Sequence, residues 1–332
     1  MSVSDRTGLA VWLKSQAADV ALVDCLQHIA ASCKKIAHLV ARAPLTGTTG
    51  ISQQTNIQGE TQKQLDIISN DVMVEQLRLS PHIAAMVSEE VPDLIQNPDA
   101  AQSARFVVCF DPLDGSSNIE TNAAIGTIFS VLELDAPEAE VRTKSVLQSA
   151  SNQIAAGYAL YGPSTLLVLT TGKSVAIFAL DPDEGVFLLL EDHVNIPEQT
   201  SEFAINMAYQ RFWEPAVSNY IVQCVAGETG PRKKAFNMRW TGSMVADVHR
   251  LFVRGGIFLY PSLSKPGGAK GKLRFLYEAN PMAFLVEVAG GAATTGTGSI
   301  RLIEPDRLHQ RAPVILGSKE EVELLENLHH TL

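Results

Sequence analysis

Phe106-Val107-Val108-Cys109-Phe110 leads directly into Asp111-Pro112-Leu113-Asp114-Gly115-Ser116-Ser117-Asn118, and no other stretch constrains the chain as much. The first five residues are apolar and β-prone, so they read as a buried strand. Two carboxylates therefore stand where a strand stops. Pro112 and Gly115 fix the turn that separates them from two hydroxyls and an amide. This combination offers hard oxygen ligands to a divalent cation and, next to them, free backbone N–H groups to an anion. The plainer alternative is an Asx-type turn without a ligand. A bare acidic Pro-Gly turn would favour that alternative, whereas the full octet favours a site.

The chain has 332 residues, more than a single core usually supports, so two lobes are expected. The expected lobes are residues 1–195, carrying the motif and a helix pair, and 196–332, carrying substrate contacts. The boundary falls near 190–202, where Pro197 and polar residues interrupt the pattern. In the first lobe, residues 20–43 repeat apolar side chains at helical spacing, with Pro44 as the expected stop. Residues 45–58 read as a mobile loop. A second helix is expected over 61–79, with Leu65, Ile68, Val72 and Leu77 inward, followed by a strand that delivers Glu89 and Glu90 to its end. Residues 126–132 read as a strand and 135–150 as a polar connection. Four apolar runs at 154–161, 166–170, 175–180 and 186–190, separated by turn residues, have the spacing of a β-meander. The remainder alternates helices (215–225, 243–253, 281–289, 319–328) with strands (256–260, 314–316). Mixed order of this kind predicts layered α/β architecture, sheets covered by helices.

Four acidic residues carry the chemistry. Glu89, Asp111 and Asp114 fall at or just past strand ends, and Glu278 lies two residues before Asn280-Pro281, where a helix starts. Converging carboxylates repel unless cations sit among them, so an oxygen site for two or three metal ions is expected. Mg²⁺ fits such ligands best and Mn²⁺ can substitute. A basic set, Arg232-Lys233-Lys234, Arg239, Lys265, Lys270, Lys272 and Arg274, points to a second anion site. For Lys233, Lys234, Lys265 and Lys270 a solvated face is an equal alternative. The formal net charge of −10 disfavours nucleic acid as a partner. No apolar run is long enough to span a bilayer, and residues 1–19 show no secretory pattern, so a cytoplasmic protein is expected. Cys25, Cys33, Cys109 and Cys224 lack any framework spacing and read as reduced, buried thiols.

The octet closely resembles the signature of the class I fructose-1,6-bisphosphatases, within the lithium-sensitive, metal-dependent sugar phosphatases. The resemblance continues at Ser88-Glu89-Glu90, at residues 242–250 and 271–281, and at His309-Gln310-Arg311-Ala312-Pro313. It implies a five-layer αβαβα sandwich and hydrolysis of the 1-phosphate of fructose 1,6-bisphosphate by direct attack of water. By resemblance Glu89, Asp111, Asp114, Glu278 and the Leu113 carbonyl bind the metals, with Glu60 aiding a further one. Glu90 and Asp66 polarise the attacking water beside Glu89. Backbone groups of Gly115, Ser116 and Ser117 hold the scissile phosphate, and Asn118 braces the turn. Asn206, Tyr209, Tyr260 and Lys272 grip the distant phosphate, while Arg239 reaches in from a neighbouring subunit of a homotetramer.

Two departures from the family pattern matter. Trp240 stands where Tyr is usual, replacing a hydroxyl with an indole N–H that only donates. That change bears on the choice between six-carbon and seven-carbon bisphosphates. Relatives bind AMP through threonines whose places are taken by Asp19 and Val23, and through positions that are here Arg105, Phe106 and Glu133. Asp19 and Glu133 would repel a phosphate, so insensitivity to AMP is expected. Three alternatives stay open: a dual fructose-1,6-/sedoheptulose-1,7-bisphosphatase, an inositol monophosphatase, and a non-catalytic sugar-phosphate sensor.

Overall fold

The structure, a computed structural model, describes residues 5–16, 19–55, 61–138, 140–148 and 152–331. Helices α1 (Leu9–Gln16) and α2 (Val20–Thr46) precede a small pair of strands, β1 (Ile51–Thr55) and β2 (Thr61–Lys63), and helix α3 (Gln64–Arg78). Next come β3 (Ile83–Ser88), β4 (Ile95–Gln96), β5 (Phe106–Asp114), β6 (Ile125–Glu133) and the single turn α4 (Thr143–Val146). The meander β7 (Gln153–Tyr161), β8 (Thr165–Thr170), β9 (Val175–Asp181) and β10 (Val186–Glu191) follows. The rest comprises β11 (Glu202–Ile205), α5 (Pro215–Val225), β12 (Asn237–Met238), α6 (Met244–Arg254), β13 (Ile257–Tyr260) and β14 (Leu273–Arg274). Helix α7 (Asn280–Val288), β15 (Ala292–Thr294), β16 (Arg311–Ala312), β17 (Val314–Gly317) and α8 (Lys319–Thr331) complete it.

The meander does not form a sheet of its own. It extends the motif strand into one sheet of order β10-β9-β8-β7-β6-β5-β3-β4, in which only β3 and β5 run parallel. Strand alternation then sorts side chains to two faces. Phe106, Val108 and Phe110 of β5 join Trp12, Leu26, Ile29, Cys33 and Leu77 in a core under α1, α2 and α3. Val107 and Cys109 point the other way, into a core shared with α6, α7 and the inner face of a second sheet, β12-β11-β13-β17-β15. The outer face of that sheet, Phe203, Ile205, Ile257, Leu259 and Ile315, is covered by α5 and α8. The layers are therefore α, β, α, β, α, the five-layer sandwich. Helix α7 lies in the middle layer, and its run Met282, Ala283, Phe284, Leu285 and Val286 is buried on all sides, as such a position demands.

Several sequence expectations need correction. Helix α2 passes through Pro44, whose fixed φ suits a last turn, and stops at Gly47, whose N–H reaches the Ala43 carbonyl. The stretch 45–58 is not simply a loop. It contains the end of α2 and β1, which pairs antiparallel with β2, while residues 56–58 lie outside the described residues. Helix α3 starts at Gln64, because residues 61–63 are drawn into β2. Its inner face holds Leu65, Met73 and Leu77 together with Asp66, Ser69 and Asn70; Ile68 and Val72 are only half-buried. That face is partly polar because it borders a polar cleft as well as a core. The connection 135–150 includes the helical turn α4.

Candidate active site

The motif is itself part of the strand. β5 continues through Asp114, but its pairing with β6 slips between Asp111, opposite Ile128, and Asp114, opposite Gly126. Pro112 and Leu113 thus face the single residue Thr127, which makes a β-bulge, the place where a strand tolerates a proline. Side chains alternate along a regular strand, so residues three apart would point to opposite faces. The extra residue cancels that alternation and lets both carboxylates face one cleft. Two hydrogen bonds hold the bulge: Leu113 N–H donates to Asp111 Oδ1 at 2.9 Å, and Thr127 Oγ1 donates to the Pro112 carbonyl at 2.8 Å. Tyr161 hydroxyl lies 2.7 Å from the same Thr127 oxygen, within the core.

The third carboxylate arrives on a different irregularity. Residues Phe275–Ala279 form one π-helical turn leading into α7, a widening often found at functional sites. It carries Glu278, whose Oε2 accepts from Arg274 N–H at 2.6 Å. Carboxylate oxygens of Asp111, Asp114 and Glu278 lie within 4.8 Å of one another, all three residues buried. Asp114 also reaches across to α6, where its Oδ2 accepts from Ser243 Oγ at 2.7 Å and Val245 N–H at 3.0 Å. A carboxylate is well placed at that helix N-terminus. Glu89 leaves the end of β3, with its N–H on the Phe110 carbonyl and its carboxylate 3.1 Å from the Arg274 guanidinium. The neighbouring Ser88 Oγ donates to Asn70 Oδ1 at 2.7 Å and accepts from Glu90 N–H at 3.2 Å, which fixes the turn bearing both glutamates. Asp66 sits in the first turn of α3, Oδ2 accepting from Lys63 N–H at 2.8 Å, while its buried Oδ1 has no protein partner.

Burial, reinforced at Asp66, Asp111 and Glu278 by neighbouring carboxylates, raises the proton affinity of Asp66, Asp111, Asp114 and Glu278. Burial pushes Glu278 up to about 8, with Glu89 adding to the shift and Arg274 opposing it. Asp111 is held well above the ordinary carboxylate range by burial and by the charges of Glu89, Asp114 and Glu278. Burial also raises Asp114, against the pull of the Val245 N–H and the Ser243 hydroxyl. Asp66 is pushed up to about 7 by burial, opposed by the Lys63 N–H and reinforced by Glu90 and Glu89. Acidic groups strained in this way in one cleft mark a functional site more often than a structural network.

The six acidic residues Asp66, Glu89, Glu90, Asp111, Asp114 and Glu278 line a cleft of about 200 Å³ together with Leu113, Gly115, Ser116, Ser117, Tyr260 and Lys272. Gly115 has φ +78°, and a Cβ there would come within 2.5 Å of the Ser243 Cβ, so only glycine lets the turn approach α6. A 3₁₀ turn, Ser116–Thr121, follows. Asn118 reaches from it to the Thr241 carbonyl at 3.1 Å, tying the turn to the opposite wall. Tyr260 also lines a smaller adjoining hollow with Asn206 and Tyr209, and Lys265 Nζ sits 4.4 Å from the Tyr209 ring centroid.

The structure thus brings together most of the expected residues. Arg239 is not among those lining the cleft; it is exposed just beyond β12, near Glu202 and Arg250. Arg274, grouped in the sequence with a basic anion site, is buried beside Glu89 and belongs to the carboxylate cluster. Glu60 lies outside the described residues. Sequence reasoning assigned no role to Ser243 and Asp247. Asp247 lines the cleft and accepts from the N–H groups of Thr241 and Gly242. The available signal was the spacing itself: Gly, then an N-cap Ser, then Asp one turn into the helix.

Acidic groups on irregular strand and helix ends, beside a glycine turn that offers N–H groups, define a phosphate-ester hydrolase of the layered α/β kind. Family comparison narrows the class. The N-terminal domain of fructose-1-6-bisphosphatase matches residues 10–192 and its C-terminal domain matches residues 196–330. The class 1 fructose-1,6-bisphosphatase of Methylobacillus flagellatus is 52% identical over 304 residues, covering 92% of this chain and 91% of that protein. Among solved structures, Leishmania major fructose-1,6-bisphosphatase in holo form superposes with a TM-score of 0.92 at 34% identity, covering 98% of this chain and 99% of the other. The apo form of the same enzyme gives 0.86 at 32% identity and the same coverage. The chain belongs to the class 1 fructose-1,6-bisphosphatase family and is an enzyme of that kind.

Proposed function

We propose that the chain removes the 1-phosphate of fructose 1,6-bisphosphate by direct transfer to water, with divalent cations held in the carboxylate cluster. The observation that carries the reading is the convergence of Asp111, Asp114 and Glu278 within 4.8 Å. The donor set fits such ions: the groups are hard oxygens, and neither Cys nor His is among the described residues lining the cleft. Their raised proton affinities mean that the cluster accommodates added positive charge better than it accommodates its own anions. Glu89, Asp111, Asp114, Glu278 and the Leu113 carbonyl would hold Mg²⁺, or Mn²⁺ in its place, with two to three ions per subunit. When bound, such cations acidify water and offset charge on the phosphoryl group.

The protein's own groups do the rest. Backbone N–H groups around Gly115, Ser116 and Ser117 orient the phosphate. Glu90, with Asp66 beside it, takes one proton of the attacking water, whose oxygen bonds to phosphorus as the bond to the sugar oxygen breaks; that oxygen takes a proton from solvent and leaves as the sugar hydroxyl. Lys272, Tyr260, Asn206 and Tyr209 hold the distant phosphate, and Arg239 is supplied by a neighbouring subunit of a homotetramer. Residues 1–195 carry the catalytic carboxylates except Glu278, and 196–332 carry the sugar and distal-phosphate contacts. Four free, buried cysteines accord with a cytoplasmic location. Among the described residues no helix is long and apolar enough to cross a membrane.

A dual activity on sedoheptulose 1,7-bisphosphate is favoured by one observation. Trp240 lines the cleft, stacked on Phe258 with ring centroids 6.0 Å apart, so its indole shapes the end where a longer sugar would extend. AMP insensitivity has its own support. Asp19 caps α2 by accepting from Ala21 N–H at 2.8 Å, and it pairs with Arg105, which also pairs with Glu133 at 2.7 Å. The helix N-terminus and the arginine that could receive a phosphate are both satisfied internally. AMP in large excess should leave the rate unchanged; inhibition that survived changes in the catalytic cleft would overturn this.

The main test is phosphate release from both bisphosphates with Mg²⁺ and then EDTA. Turnover on the fructose substrate that EDTA abolishes is expected. Turnover on both would establish the dual activity, and EDTA-resistant turnover would refute the metal reading.

A further inference from the structure

One wall of the cleft, residues 240–243, is a lip suspended from the first turn of α6. Two carboxylates do the suspending. Asp114 takes the Ser243 hydroxyl and Val245 N–H, at 2.7 and 3.0 Å. Asp247, 1% exposed, takes the next peptide edge outward: Thr241 N–H donates to Oδ1 at 2.8 Å and Gly242 N–H to Oδ2 at 3.1 Å. The other edge of the same segment is held by Asn118, which donates to the Thr241 carbonyl at 3.1 Å. Asp247 N–H donates in turn to the Ser243 carbonyl at 3.0 Å, so clamp and lip share one helical turn. Gly242 adopts φ +81°, and Trp240 lies flat on Phe258, 7° from parallel. Nothing in the reaction described above employs Asp247, although it lines the cleft.

We propose that Asp247 is a positioning residue that sets the height of the 240–243 lip against the body of the sugar. This rests on the bisphosphatase reading above. The lip adjoins the phosphate turn, with Gly115 against Ser243 and Asn118 on the Thr241 carbonyl, and Trp240 stands beside Tyr260 at a centroid distance of 5.9 Å. Gly115, Trp240, Gly242, Ser243 and Tyr260 line one cleft, so a substrate held at its phosphate by the Gly115 turn and reaching toward Tyr260 would pass along this wall. Two N–H groups of an otherwise exposed segment, fixed by one buried carboxylate, keep the wall from moving when the sugar arrives. That is binding of the sugar in both ground and transition state, so it acts on affinity rather than on the chemical step.

Asp247→Asn keeps the volume and one acceptor oxygen but sets an NH₂ group against a backbone N–H. The expected result is a KM for fructose 1,6-bisphosphate raised about tenfold with kcat within about threefold of the original. By calorimetry the Kd of fructose 6-phosphate should rise in parallel, while the Kd of inorganic phosphate and the Mg²⁺ concentration for half-activation stay within about twofold. Gly242→Ala disturbs the lip while leaving the Asp247 carboxylate itself unchanged. An added Cβ would meet only the Trp240 indole nitrogen at 3.6 Å, so its cost is the left-handed backbone alone, and the same pattern is expected. If Asp247→Asn fails to fold, Gly242→Ala decides. A fall in kcat without a rise in KM, a phosphate Kd that moves with the sugar Kd, or two variants that behave as the parent would each overturn the proposal. An unaltered chain that released no phosphate from the bisphosphate would instead refute the function, and this role with it.

Discussion

Asp66 illustrates how much a single side chain owes to its surroundings. In the sequence it is one acid among helix formers; in the structure it is buried, with one oxygen on a backbone N–H and the other without a protein partner. An oxygen left open beside Glu90 in a catalytic cleft is suited to a proton from water. Asp66→Asn should fold and should lower kcat about 100-fold, measured as phosphate release at saturating substrate. His249 is the opposite case, a titratable group kept neutral. Burial lowers its pKa from 6.5 to about 4, and the Tyr158 hydroxyl lies 2.8 Å from its Nδ1. Unfolded chains take up a proton at this site near pH 6.5, whereas the folded one resists until about 4. Stability is therefore full above that window and declines as pH falls through it, by up to about 3 kcal/mol. Urea unfolding across the window should show this loss, reduced in His249→Gln, which cannot gain the proton. Arg274 marks the limit of residue-level reading. It looked like part of a basic run because chain neighbours such as Lys272 were visible and Glu89, its partner in space, was not.

At the scale of elements, the bulge in β5 decides whether there is a site at all. The strand and its proline were legible in the sequence, since apolar runs and breakers act locally. The slip in register was not, because register belongs to a pair of strands and the partner, β6, is set by the whole sheet. Thr127 is the element's fastening: its hydroxyl satisfies the Pro112 carbonyl and meets Tyr161. Thr127→Val, nearly the same shape, leaves that buried carbonyl unpaired and should cost about 1–3 kcal/mol in urea unfolding. Because Asp111 and Asp114 flank the bulge, apparent Mg²⁺ affinity should weaken together with stability. A variant less stable yet unaltered in Mg²⁺ dependence would show that the bond serves only the fold. The same local-versus-shared distinction explains α2. Its buried stripe was readable, but its end is set by the Gly47 cap and not by Pro44.

The whole molecule gathers what the elements offer. Three carboxylates from β5 and the turn before α7, two from the end of β3 and one from α3 meet in a cleft because five layers stack two sheets through α6 and α7. Arg239 stands outside its own cleft and exposed, as a residue lent to a neighbour would. Subunits of Arg239→Ala, weakened at low substrate, mixed and reassembled with Asp66→Asn subunits should recover activity that neither has alone, since the second set supplies the missing arginine. No recovery would place the function of Arg239 within its own chain. The sequence by itself determined most of the longer strands and helices, the family motifs and the acidic chemistry, because these depend on residue type and on neighbours a few positions away. Only the tertiary structure decided that the meander joins the motif sheet, that a bulge turns Asp111 and Asp114 to one side, that Arg274 pairs with Glu89 and that Asp247 holds the lip. Each of these depends on contacts between segments distant in the chain, which packing and hydrogen bonding select together and no local pattern encodes.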